Sequence, residues 1–185
     1  MDSPIAETMA RFNRGLVLVY TGDGKGKTTA AIGQALRLIG HGHKVLIVQF
    51  MKGKKYGEVL AAEKYLDGRL TAVQCGLDSF VMKNNPAPVD IELARQGLSL
   101  AKRALTSGEY AMIILDEINV ALDFKLIPLE EVLEMIRTKP AEADLILTGR
   151  YAPAEVIELA DMVSEVREIK HHYAQGVKER AGIEF

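Results

Sequence analysis

Thr21-Gly22-Asp23-Gly24-Lys25-Gly26-Lys27-Thr28 lies between a short apolar run, Leu16–Tyr20, and a helical pattern, Thr28–Ile39. Glycines at this spacing let successive backbone N–H groups turn inward around phosphate oxygens. The helix beginning at Thr28 adds the partial positive charge of its N-terminus, Lys27 adds a full one, and the Thr28 hydroxyl suits Mg²⁺. The stretch therefore reads as a phosphate-binding loop, a P-loop, with Thr21 where the usual pattern has Gly. Gly22, Asp23, Gly24, Lys25, Gly26, Lys27 and Thr28 are its candidate binding residues. The competing reading, a plain Gly-rich turn, is disfavoured because strand and helix flank the motif in the order a P-loop needs.

Outward from the loop, short β-branched runs alternate with helical patterns. Leu16–Tyr20, Val45–Phe50, Leu70–Val73, Ala111–Leu115, Leu145–Thr148 and Met162–Val166 read as strands. The first, second and fourth are nearly all apolar, as expected of strands covered on both faces. The fold expected is α/β: a P-loop-type, mainly parallel sheet of six strands with helices on both faces. Thr28–Ile39 carries an apolar stripe at Ile32, Ala35, Leu36 and Ile39, with Gly40 placed for a left-handed cap. Val89–Leu105 repeats the pattern, Pro128 opens a helix through Arg137, and Pro153 starts another. Cys75–Pro88 has no period and reads as a long loop. At 185 residues, without internal repeat, the chain is expected to form one domain over 1–185.

Ala111–Leu115 ends in Asp116-Glu117, two carboxylates at the strand edge that faces nucleotide in such folds. Asp116 suits Mg²⁺, and Glu117 either completes the metal shell or orients an attacking water. Capping of a helix around Asn119 is the structural alternative. Leu145–Thr148 ends in Gly149-Arg150, so Arg150 is either a phosphate or carboxylate partner or a solvated surface residue. His41 and His43 read as surface residues, and His171 and His172 as unable to face one metal together. Cys75 reads as a buried or half-buried thiol. No Ser/His/Asp or Cys/His arrangement stands near the loop, so any nucleophile comes from the substrate.

Lys plus Arg number 23 and Asp plus Glu 25, a net charge of −2, which removes the basic excess expected of a nucleic-acid binder. Hydrophobic residues at 48% and charged residues at 26% exclude a disordered chain. A single cysteine and no zinc spacing point to a reducing compartment. No apolar run approaches the roughly 20 residues that span a bilayer. Asp2 and Glu7 stand where a signal peptide needs a basic, then apolar, start. A cytoplasmic protein without membrane or nucleic-acid partner is expected.

Taken together, several pieces resemble one family. They are Tyr20 through Ala31, Val48-Gln49-Phe50-Met51-Lys52-Gly53, Leu115-Asp116-Glu117, Leu147-Thr148-Gly149-Arg150, Ala160 through Glu165, and Lys170-His171 with Gly182 through Phe185. This set is similar to the P-loop ATP:corrinoid adenosyltransferases, which share the Thr at the first loop position. The resemblance implies transfer of the 5′-deoxyadenosyl group of ATP to the Co(I) of a reduced corrinoid, either cobalamin or cobyrinic acid a,c-diamide, with Mg²⁺ and release of triphosphate. Co(I) is a strong nucleophile with no proton to lose, so no general base is needed. Carried over, Gly22 through Thr29 and Arg150 bind nucleotide, Lys27 and Glu117 are catalytic, and Thr28, Asp116 and Glu117 form the metal side. The resemblance places Gly76–Met82 beneath the corrin. Family members can carry an aromatic pair including Trp there, whereas this chain has no Trp and offers Leu77 and Phe80. Phe80 is either a wall that excludes water from cobalt or a core anchor for the loop. A homodimer and an electron-donating reductase such as a flavodoxin are also implied. Outside the resemblance, a P-loop ATPase, a small-molecule kinase or a nucleotide-binding regulatory module are the alternatives.

Overall fold

A computed structural model describes residues 14–79 and 81–185. The readings made for Met1–Asn13 and for Phe80 lie outside the described residues.

Six strands form: β1 (Val17–Thr21), β2 (Val45–Phe50), β3 (Leu70–Cys75), β4 (Met112–Asp116), β5 (Asp144–Thr148) and β6 (Met162–Glu165). They make one sheet in the order β3-β2-β4-β5-β1-β6, and every pairing is parallel. Parallel neighbours need long crossovers, which explains why helices separate the strands. These are α1 (Lys27–Gly40), α2 (Gly57–Tyr65), α3 (Pro88–Thr106), α4 (Ile118–Asp123), α5 (Leu129–Arg137) and α6 (Ala154–Leu159), followed by a 3₁₀ turn at His172–Gln175.

Alternation along the strands divides the core into two layers. Leu18, Tyr20, Ile47, Ile114 and Ile146 face Ala31 and Ala35 of α1 and Ala62 of α2. Val19, Val48, Leu115 and Leu147 face Leu98 of α3, Leu122 of α4, Val132 of α5 and Val156 of α6. Each fully buried Val, Leu or Ile among these contributes roughly 1.5–3 kcal/mol. Gly97 shows how closely α3 lies on the sheet: a Cβ there would stand 2.8 Å from Cys75 Sγ. The Cys75 thiol is buried, and burial pushes its pKa up.

The structure modifies two of these readings and adds one helix. Gly40 is the last residue of α1, His41 caps it with φ −92°, and the left-handed position falls at Gly42, φ +86°. Strand β3 runs on through Gln74 and Cys75, because the Gln74 amide is satisfied by Gln49 Oε1 at 3.2 Å and the Lys54 carbonyl at 2.7 Å. Helix α2 was not anticipated: it buries only Val59 and Ala62 and has no side-chain cap. Among the described residues, no helix is long and apolar enough to cross a membrane.

Candidate active site

The loop after β1 is shaped by close approach. Gly22 and Gly26 have φ of +96° and +126°, and a Cβ on Gly22 would lie 2.5 Å from the Val166 carbonyl oxygen. The Gly24 N–H donates to that carbonyl at 2.8 Å, tying the loop to the segment after β6. Lys27 folds back and donates to the Gly22 and Gly24 carbonyls at 2.8 and 2.7 Å. Burial, aided by nearby Arg150, lowers its pKa against the pull of Glu117, Asp23 and Asp116. No side chain caps α1, so its first-turn N–H groups remain free for an anion.

Asp116 ends β4 and is fully buried. Its Oδ1 accepts from Thr28 Oγ1 at 2.7 Å and from Thr148 Oγ1 at 2.8 Å. Its Oδ2 accepts from Lys52 Nζ at 2.7 Å and Gln49 Nε2 at 3.1 Å. Thr148 also accepts from the Glu117 N–H at 3.0 Å, so one hydroxyl on the intervening strand β5 fixes both acidic residues. Glu117 has a left-handed backbone, φ 62°, and makes no side-chain cap to α4, which removes the capping reading for it. Burial first, and the neighbouring Asp116 charge second, push the Glu117 carboxyl up, against Lys52, Lys27 and Arg150. Burial disfavours the Lys52 charge, but Asp116, Glu117 and Glu58 outweigh it and raise the Lys52 pKa.

Lys25, Gly26, Lys27, Thr28, Thr29 and Glu117 border a cavity of about 590 Å³, within the range of ligand sites. Its far wall is α2 and Gly182–Phe185. That wall is held by Lys25 Nζ donating to the Ile183 carbonyl at 2.6 Å, and by His172 Nε2 3.2 Å from Glu184 Oε1. The Arg180 N–H, aided by His172 and Lys25, keeps the Glu184 carboxyl below its usual range. Gly22, Asp23 and Gly24 form the back of the loop, and Arg150 donates to the Asp23 carbonyl at 3.1 Å. Arg150 thus braces the loop from outside and does not border the cavity. Leu77 lies in a smaller cavity of about 180 Å³ with Met51, Gly53, Asp78 and Ser79. Lys52 and Tyr56 border both cavities.

Gln49, Lys52, Tyr56, Glu58 and Thr148 were given no role from sequence. One signal was present: Gln49 interrupts an otherwise apolar strand, and a buried polar side chain needs partners. It finds Glu58 Oε1 at 2.8 Å as well as Asp116.

The family model for the ATP:corrinoid adenosyltransferase BtuR/CobO/CobP matches residues 13–185. The chain belongs to the ATP:corrinoid adenosyltransferase family. A corrinoid adenosyltransferase of Escherichia coli K12 is 37% identical over 186 residues, covering 100% of this chain and 92% of the relative. One from Salmonella typhimurium is 35% identical over 186 residues, with the same coverage. Among solved structures, a KaiC-like protein from Pyrococcus horikoshii superimposes with TM-score 0.56 at 18% identity, over 85% of this chain and 75% of that one. At that identity the likeness establishes the fold alone. In this adenosyltransferase, parts of three of the quoted motifs, Lys25–Thr29, Glu117 and Gly182–Phe185, border one cavity, with Asp116 buried behind it.

Proposed function

We propose that the chain holds ATP with its triphosphate on Gly22–Thr29 and transfers the 5′-deoxyadenosyl group to the Co(I) of a reduced corrinoid, releasing inorganic triphosphate. The observation that carries this reading is the shared wall. Lys52 and Tyr56 border both the loop cavity and the smaller cavity beside Leu77, so two substrates can approach one another there.

The protein's task is orientation and charge stabilisation. Loop amides and Lys27 receive the charge that builds on the triphosphate as the C5′–O bond breaks. Lys27 must exchange its two loop carbonyls for phosphate oxygens, a favourable change because the new partners are anionic. Arg150 steadies the loop through Asp23, and Leu77 supplies apolar surface to the corrin side. The residues present also suit Mg²⁺: the Thr28 hydroxyl and the Glu117 carboxylate are hard oxygen ligands bordering one cavity, and the Asp116 carboxylate, buried behind them, accepts from the Thr28 hydroxyl. When bound, that cation would neutralise triphosphate charge. The single sheet supports reading 1–185 as one domain. A homodimer, a flavodoxin-type reductase and a cytoplasmic setting belong to this reading through the family resemblance.

The test is to mix the chain with chemically reduced cobalamin and follow the Co(I) spectrum. The reading expects conversion to adenosylcobalamin only when ATP and Mg²⁺ are both present. A Co(I) spectrum indifferent to ATP would contradict it.

A further inference from the structure

Three lysines border the loop cavity: Lys25, Lys27 and Lys52. Lys25 is engaged with the Ile183 carbonyl and Lys27 with the carbonyls of its own loop. Lys52 alone of the three also borders the smaller cavity. Its ammonium lies 2.7 Å from Asp116 Oδ2, 4.0 Å from Glu58 Oε1 and 5.0 Å from the Tyr56 ring centroid, with only 15% of the side chain exposed. Its backbone is equally constrained, since a Cβ on Gly76 would stand 2.5 Å from the Lys52 nitrogen. The ammonium is thus largely buried at the wall shared by the two cavities.

We propose that Lys52 is a catalytic residue that exchanges Asp116 for the triphosphate, contacting the end of it nearest the smaller cavity, where the bond to C5′ breaks. This inference rests on the adenosyl-transfer reading. In the step, the Co(I) electron pair forms the cobalt–carbon bond and cobalt becomes Co(III). The C5′–O pair departs with the triphosphate. No proton moves, and Lys52 remains an ammonium that donates a hydrogen bond to the departing oxygen. Lys27 serves the loop end of the same chain of phosphates, so the two lysines bracket it.

The test measures binding of inorganic triphosphate to the full chain in EDTA, by calorimetry, alongside kcat and KM for the complete reaction. Lys52→Gln keeps a donor for Asp116 but removes the charge. It should weaken metal-free triphosphate binding roughly tenfold to a hundredfold, the range of one charge-assisted hydrogen bond, and lower kcat. Asp116→Asn releases Lys52 and removes a negative charge beside the loop, so it should tighten metal-free binding, and that gain should shrink in the double variant to the part that does not pass through Lys52. The double variant also covers the case in which Lys52→Gln alone fails to fold. Unchanged triphosphate affinity in Lys52→Gln, or a gain from Asp116→Asn that is equally large with and without the Lys52 ammonium, would overturn the role of Lys52. Failure of the unaltered chain to bind triphosphate in EDTA would overturn the role of Lys52 alone, whereas failure to form adenosylcobalamin with ATP and Mg²⁺ would overturn the adenosyl-transfer reading, and the inference with it.

Discussion

Thr28 Oγ1 donates to Asp116 Oδ1 at 2.7 Å, although the strands that deliver them, β1 and β4, are not neighbours in the sheet. Strand β5 lies between them, and Thr148 at its end closes the gap. The loop and the acidic pair are therefore positioned by a third strand whose contribution is one hydroxyl.

Replacing Thr148 with Val leaves the Glu117 N–H without its acceptor and removes a donor from the buried Asp116 carboxylate. A loss of about 1–3 kcal/mol per unsatisfied group is expected, measurable by urea denaturation. Thr148→Ser should restore most of it. Equal stability of the Val and Ser variants would show that the hydroxyl bridge is unimportant.

Lys27→Ala removes the charge at the centre of the loop. Turnover should fall by about 10²–10³, while circular dichroism shows a folded protein. Near-normal turnover in a folded variant would mean the triphosphate sits elsewhere.

Gly76→Ala and Gly53→Ala address the corrin side. Their added Cβ atoms would stand 2.5 Å from the Lys52 nitrogen and 2.5 Å from the Leu77 carbonyl carbon. The loops after β2 and β3 must then separate, at a cost of about 1–3 kcal/mol. The KM for corrinoid should rise more than the KM for ATP. A rise confined to ATP would place the corrinoid away from Leu77.

Glu117 carries a pH signature in the free protein. Its carboxyl is raised by burial and by Asp116, so between the unfolded and folded pKa values the native state holds more protons than the unfolded state. Stability from this group is complete below the unfolded value and is lost as pH rises through the folded one. Glu117→Gln should thus raise Tm at neutral pH and leave it unchanged in acid. A Tm gain that persists equally in acid would assign the effect to something other than this ionisation.

The strands and the long helices were legible because their signals are local: apolar runs for β1, β2 and β4, an apolar stripe for α1 and α3, and proline start and stop signals for α5. Helix α2 was not, since it buries only two side chains and begins without a capping residue. The loop and the Asp116-Glu117 pair could be read from their spacing. Lys52, Thr148 and Gln49 could not be given roles because their meaning comes from a carboxylate distant in sequence. The end of β3 was missed for the same reason, as Gln74 looks polar until Gln49 and Lys54 supply its partners.

The bond that breaks is the central claim, and ³¹P NMR of the spent reaction measures it most directly. With ATP, Mg²⁺ and chemically reduced cobalamin, the account predicts intact inorganic triphosphate in step with adenosylcobalamin. ADP and phosphate without a cobalt–carbon product would contradict it.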